Sequence, residues 1–261
     1  MNLDLKNKNA IVCGGTAGIG RASAMQLAAM GASITIVARN EEKLKATIAL
    51  LPKQGNQTHA YLLADFTNPA QLKEQVTAAA SKKNYHILLN NTGGPKDGPI
   101  FSADTSEFIN AFSMHLECNQ ILVQALVSGM KEDAYGRIIN VISTSVKQPI
   151  DGLGVSNTVR GAVASWSKTL ANELGQYGIT VNNVLPGFTV TDRLASIISN
   201  AAKHFDGSEE KAIEFMKSSV PAKRFAQPEE VANAIAFLAT DAAGYINGIN
   251  LPVDGGKTAS L

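Results

Sequence analysis

Cysteine is scarce in this chain: 261 residues contain two, Cys13 and Cys118. One falls in an apolar strand-like run and the other in a helical one. No disulfide is expected, and a reduced, cytoplasmic compartment is the plain reading. An excess of charge is also missing. Lys and Arg number 23 against 22 Asp and Glu, a formal net charge of +1, which gives no reason to expect nucleic acid or an anionic membrane as partner. No apolar run approaches the roughly 20 residues that a membrane span needs. The polar opening stretch lacks the pattern of a secretory signal. No metal site is expected. What is present is the composition of a globular protein, 45% hydrophobic and 17% charged, which suits one large α/β domain over 1–261.

The hydrophobic residues fall in seven short, β-branched runs, over 10–13, 34–38, 59–63, 87–90, 138–142, 179–185 and 249–253. Between them lie longer stretches with helical spacing, over 19–30, 41–51, 69–80, 105–130, 154–176 and 229–240. Such alternation implies parallel strands joined by crossovers, with both faces of the sheet covered by helices. The expected fold is a Rossmann-type, doubly wound, seven-stranded parallel sheet in a single domain. Ligands on such sheets bind outside the carboxyl ends of the strands, near the point where strand order reverses. The stretch 201–219 is more polar and breaks the rhythm, so a mobile substrate-loop insertion is expected over about 190–225.

After the first strand comes Cys13-Gly14-Gly15-Thr16-Ala17-Gly18-Ile19-Gly20, and then a helix. Glycines at 14, 18 and 20 let the chain turn tightly and let a pyrophosphate approach the backbone. The helix N-terminus that follows offers free N–H groups and the positive end of its dipole. A glycine-rich loop alone is weak evidence, but here it follows a strand and opens a helix, as dinucleotide binding requires. At the end of the second strand an acid would grip the ribose 2′-hydroxyl of NAD, whereas a cation suits the 2′-phosphate of NADP. The chain reads Val37-Ala38-Arg39-Asn40 there. Arg39 can fork onto a phosphate, so NADP(H) is expected over NAD(H), with Arg21 as a candidate second cation. The bland alternative for Arg39 is a solvated residue paired with Glu42.

The chain resembles the short-chain dehydrogenases/reductases, in the group similar to 3-oxoacyl-acyl-carrier-protein reductases. The resemblance spans nearly the full length. It rests on Gly14-x-x-x-Gly18-x-Gly20, Asn90-Asn91-Thr92-Gly93, Ser143, Pro186-Gly187 with Thr191, and the tail from Tyr245-Ile246-Asn247-Gly248 to Asp254-Gly255-Gly256. It implies that Gly14, Thr16, Ala17, Gly18, Ile19 and Gly20 cradle the pyrophosphate and that Asp65 with Phe66 meets the adenine. Asn91 and Gly93 would border the ribose, and Pro186, Gly187 and Thr189 would meet the nicotinamide carboxamide. It also implies a small-molecule substrate and a homo-oligomer, tetramer or dimer, joined through the helices over 105–130 and 154–176 and the C-terminal tail.

The reaction in that family moves a hydride between nicotinamide and a carbonyl or alcohol carbon, with a Tyr as proton donor, a Lys four residues on, an orienting Ser and a relay Asn. By the resemblance, the Ser position is Ser143, the Tyr position is Ser156, the Lys position is Arg160 and the Asn position is His115. None of the five tyrosines, at 61, 85, 135, 177 and 245, lies between Ser143 and Gln176. A serine hydroxyl is a far weaker acid than a phenol. Arg stays protonated, so Arg160 can bind ribose or carboxylate but cannot shuttle a proton. Two residues remain as candidate donors: Lys147, with its pKa lowered by nearby Arg160 and oxidised nicotinamide, and His115, whose ordinary pKa of about 6.5 suits the task; the bland alternatives are a solvated loop lysine and a hydrogen-bonded interface histidine. Arg160 and the polar insertion hint at a polar or carboxylate-bearing substrate. The competing reading is a catalytically silent NADP(H)-binding homologue that acts as a redox sensor or partner subunit.

Overall fold

The computed structural model describes residues 1–260. Seven strands, β1 (Asn9–Cys13), β2 (Ser33–Ala38), β3 (Ala60–Leu63), β4 (Ile87–Asn90), β5 (Gly136–Val141), β6 (Ile179–Pro186) and β7 (Asn250–Val253), form one sheet in the order β3-β2-β1-β4-β5-β6-β7. Every neighbouring pair is parallel. Nine helices cover it: α1 (Gly18–Ala29), α2 (Glu41–Leu50), α3 (Pro69–Ala80), α4 (Thr105–Phe112), α5 (Cys118–Glu132), α6 (Gly154–Leu174), α7 (Asp192–Ala202), α8 (Glu209–Ser218) and α9 (Pro228–Leu238).

The apolar runs of β1, β4, β5 and β6 are buried on both faces, as a parallel sheet between helical layers requires. One core layer joins Ala24, Leu27 and Ala28 of α1, Leu44 of α2, and Val231 and Ile235 of α9 to one face. The other layer joins Leu72 and Val76 of α3, Leu122 and Leu126 of α5, and Ala171 and Leu174 of α6 to the opposite face. No helix among the described residues is long and apolar enough to cross a membrane.

Strand order reverses between β1 and β4, which pair Ala10 with Ile87 and Val12 with Leu89. The loops leaving these two strands therefore diverge, and a cleft opens between them at the carboxyl edge. A line of asparagines crosses the sheet just below. Asn90 Nδ2 donates to Asn140 Oδ1 at 2.8 Å, Asn140 Nδ2 to Asn183 Oδ1 at 3.0 Å, and Asn183 Nδ2 to Asn250 Oδ1 at 2.8 Å. Ser167 of α6 joins this line, accepting from Asn140 at 2.9 Å and donating to Asn183 at 2.8 Å. In so apolar a layer these bonds fix the register of α6 against the sheet.

Two features depart from the sequence reading. The helix expected over 105–130 is three pieces, because one wide turn, Ser113–Glu117, separates α4 from α5 and turns His115 into the interior. Such wide turns recur at functional sites. The stretch within 190–225 is also more regular than expected. It carries α7 and α8, each opened by a hydroxyl cap: Thr191 accepts from Leu194 N–H, and Ser208 from Lys211 N–H. These helices read as polar because each buries only two residues, Leu194 and Ala202 in one, Ala212 and Met216 in the other.

Candidate active site

The cleft's first wall is the β1–α1 turn. Gly14 and Gly18 hold φ of +60° and +49°, the left-handed region that L side chains avoid. A Cβ on Gly20 would lie 2.2 Å from the Gly14 carbonyl oxygen, and one on Gly14 would lie 2.6 Å from that of Asn91. The turn thus has room only for glycine. Asn91 Nδ2 donates to the Cys13 carbonyl at 3.3 Å and ties β4's exit to β1's. The N-terminus of α1 carries no side-chain cap at Ala17 and no acid in its first turn. By contrast, α2, α3, α4, α7 and α8 are all capped by a side chain. Bare N–H groups beside a glycine turn fit a phosphate.

Arg39 stands exposed at the end of β2. The expected alternative, a pair with Glu42, is absent: Lys45 takes both Glu41 and Glu42, and Arg39 forms no ion pair among the described residues. Arg21 is exposed on α1. Asp65 accepts from the Thr67 N–H at 2.9 Å, which together with the Thr67 hydroxyl and distant Arg39 holds its carboxyl below the usual range. Phe66 is buried beside it, its carbonyl accepting from Cys118 Sγ. Across the cleft, Gly187 packs where a Cβ would meet Asp254 at 2.7 Å, and buried Thr189 donates to the Gly187 carbonyl.

The second wall is the exit of β5 with the start of α6. Ser143 Oγ accepts from the Ser145 N–H at 3.1 Å, which leaves its hydroxyl proton free to serve an oxygen in the cleft. Ser156 and Arg160 lie one turn apart on α6, both buried. Arg160 Nη1 donates to the Val141 carbonyl at 2.8 Å, two residues before Ser143, while its Nε has no partner. Burial, then the charge of Arg193, pulls its pKa down to about 10, so the guanidinium still carries its charge at neutral pH.

The two candidate proton donors stand in different surroundings. His115 is only 3% exposed, its Nδ1 lies 2.6 Å from Thr92 Oγ1, and its ring also bonds the Gly93 backbone. Burial, reinforced by Arg160, depresses its pKa to about 3. The imidazole is neutral at working pH and braces the β4 loop. Lys147 is exposed at the end of the short turn Thr144–Val146.

Sequence reasoning also missed a pair that closes the mouth. Arg193 on α7 donates to Asp97 in the loop after β4, 96 residues away in the chain. Arg193 Nη2 and Arg160 Nη2 lie 3.9 and 4.0 Å from the point where a Cβ of Gly94 would stand. The only cue in the sequence was the helix opening Thr191-Asp192-Arg193. Among the described residues no three His, Cys, Asp or Glu side chains gather as a metal site.

Comparison with known proteins places this geometry. Residues 14–258 match the family described as enoyl-(acyl-carrier-protein) reductase. The NADPH-dependent reductase BacG of Bacillus subtilis is 28% identical over 98% of this chain and 100% of its own length. The 3-oxoacyl-[acyl-carrier-protein] reductase FabG of Haemophilus influenzae is 33% identical over 97% of this chain and 98% of its own. The crystal structure of L-sorbose reductase from Gluconobacter frateurii, complexed with NADPH and L-sorbose, superposes with a TM-score of 0.92 at 29% identity, covering 100% of both chains. The chain belongs to the short-chain dehydrogenase/reductase family.

Proposed function

We propose that the protein is an NADP(H)-dependent oxidoreductase that interconverts a carbonyl and an alcohol, with NADP(H) preferred over NAD(H). The observation that carries this reading is the cradle: a glycine-only turn and the bare N-terminus of α1 at the reversal of strand order, with Arg39 where an acid would select NAD. The same preference is written into the names of the BacG relative and the sorbose reductase complex.

In this reading Gly14, Thr16, Ala17, Gly18, Ile19 and Gly20 hold the pyrophosphate, and Arg39 the 2′-phosphate. Asp65 and Phe66 border the adenine, Asn91 and Gly93 the ribose, and Pro186, Gly187 and Thr189 the carboxamide. When bound, the nicotinamide supplies or accepts the hydride. The chain's own residues supply the rest. Ser143 donates a hydrogen bond to the substrate oxygen. The fixed charge of Arg160 draws a polar or anionic substrate into the same cleft. By the resemblance, buried Ser156 stands where the family carries a phenol. The five tyrosines are placed elsewhere: Tyr135 donates to the Ala239 carbonyl, Tyr61 to Glu41, Tyr85 bonds Thr35, Tyr177 lies under Lys131 and Tyr245 is fully exposed. With His115 neutral and buried, and Lys147 exposed beside the exit of β5, we assign proton delivery to Lys147. The test is Lys147→Met: kcat falls about 10²–10⁴-fold with NADPH affinity unchanged. An unchanged kcat would transfer the role to water.

A second reading is a silent nucleotide-binding homologue, a redox sensor or partner subunit, supported by the resemblance, which puts Ser156, Arg160 and His115 at the positions of the family's Tyr, Lys and Asn. The double variant Ser156→Tyr, Arg160→Lys separates the two readings. Activity that arises only in this variant supports the silent homologue, and natural activity that falls supports the enzyme. We further propose that α7 and α8, within 190–225, form the moving cover of the pocket. We propose a homo-oligomer, dimer or tetramer, built on the exposed apolar residues Ile109 and Phe112 of α4, and a cytoplasmic location consistent with two free buried cysteines.

A further inference from the structure

Two buried arginines in this fold are treated differently. Arg137, 4% exposed, donates to the carbonyls of Thr240, Gly136 and Gly178 and has Asp241 at 3.6 Å. It is a satisfied structural residue. Arg160, 7% exposed, has one carbonyl, an orphaned Nε and no acid within ion-pairing distance among the described residues. A buried guanidinium left in that condition is costly unless an anion completes it. Its free side faces the space over Gly94, where the absence of a side chain leaves room and where Arg193 approaches from the other wall.

We propose that Arg160 and Arg193 form a binding site for a carboxylate group of the substrate, with Arg160 as the principal cation. The charge count selects a monoanion. Arg193 is already balanced by Asp97, which leaves one positive charge unmet, and a planar carboxylate matches the guanidinium fork. Ribose hydroxyls of a bound nucleotide are neutral and would leave that charge standing. The word substrate rests on the oxidoreductase reading, whereas the anion site itself does not.

The test is direct binding to protein loaded with NADP+, followed by calorimetry. The probes are malonamate (one carboxylate), malonamide (none) and inorganic phosphate, none of which offers a ketone or aldehyde for reduction. Malonamate is expected to bind saturably and at least about tenfold more tightly than malonamide or phosphate. Arg160→Met and Arg193→Met should each abolish that margin while NADPH fluorescence still reports a bound cofactor. Arg193 is partly exposed, so its variant carries the test should Arg160→Met fail to fold. Equal affinity for malonamate and malonamide, preference for phosphate, or unaltered binding in the Arg193 variant would overturn the proposal. Carboxylate binding with no hydride transfer to any carbonyl would sink the oxidoreductase reading and leave the site standing. Turnover of neutral carbonyls without malonamate binding would do the reverse.

Discussion

The dinucleotide cradle and the face of α6 border one cleft, yet they are built on opposite rules. The cradle is closed: its backbone atoms come so near that glycine alone fits at 14 and 20. Its helix N-terminus offers main-chain groups that no side chain caps. The face of α6 is unfinished, with Arg160 holding an uncompensated charge and an orphaned Nε. The difference separates what is generic from what is particular. A pyrophosphate needs backbone geometry, so the cradle can be uniform. A substrate needs a specific charge or hydrogen bond, and the protein leaves that requirement open at a stability cost.

The largest expected effect comes from breaking the closed side. Gly20→Val places carbon atoms against the Gly14 carbonyl, which should destabilise the fold by about 3 kcal/mol and leave no NADPH binding in a fluorescence titration. Parent-like binding would show that the cradle is not the nucleotide site. On the unfinished side the sign reverses. Arg160→Met should raise the stability of the cofactor-free protein by ~1–4 kcal/mol, because an apolar isostere replaces a buried, unpaired charge. At roughly 2–4 °C per kcal/mol for a chain of this size, a thermal melt resolves the gain, while turnover collapses. A lower Tm would mean that Arg160 is structural, as Arg137 is.

Arg39→Ala sharpens the comparison at the cradle's rim. It should weaken NADPH about 10–100-fold, the worth of a charge-assisted bond, and leave NADH affinity unchanged. The remaining test is a pH dependence. His115 titrates near 6.5 when unfolded and at about 3 in the fold, so between these values the unfolded state binds the extra proton. Its contribution is complete above pH 6.5 and is lost as pH falls toward 3. His115→Gln should flatten that part of a stability–pH curve measured by denaturant melts.

The fold was legible because its signals are local. The β-branched runs locate all seven strands, and the glycines of 14–20 announce the turn that β1 and α1 make. Arg39 was readable for the same reason, standing one residue past a strand end. What escaped depends on contacts distant in sequence. The bridge from Arg193 to Asp97 joins the first turn of α7 to the loop after β4, and no spacing encodes it. α7 and α8 bury two residues each and are started by the hydroxyls of Thr191 and Ser208, so their apolar period is faint. His115 was legible as a position but not as a chemistry, because its neutrality comes from the burial that the wide turn Ser113–Glu117 creates.

The most direct measurement is isotopic. Protein incubated with 4-deuterated NADPH, each stereoisomer in turn, and a panel of carbonyl compounds that includes oxo acids would be followed by mass spectrometry of the products. The account predicts deuterium on the former carbonyl carbon of an alcohol, from one stereoisomer only, with carboxylate-bearing carbonyls favoured. NADPH that binds in the cradle while its deuterium stays on the nicotinamide with every carbonyl offered would contradict it.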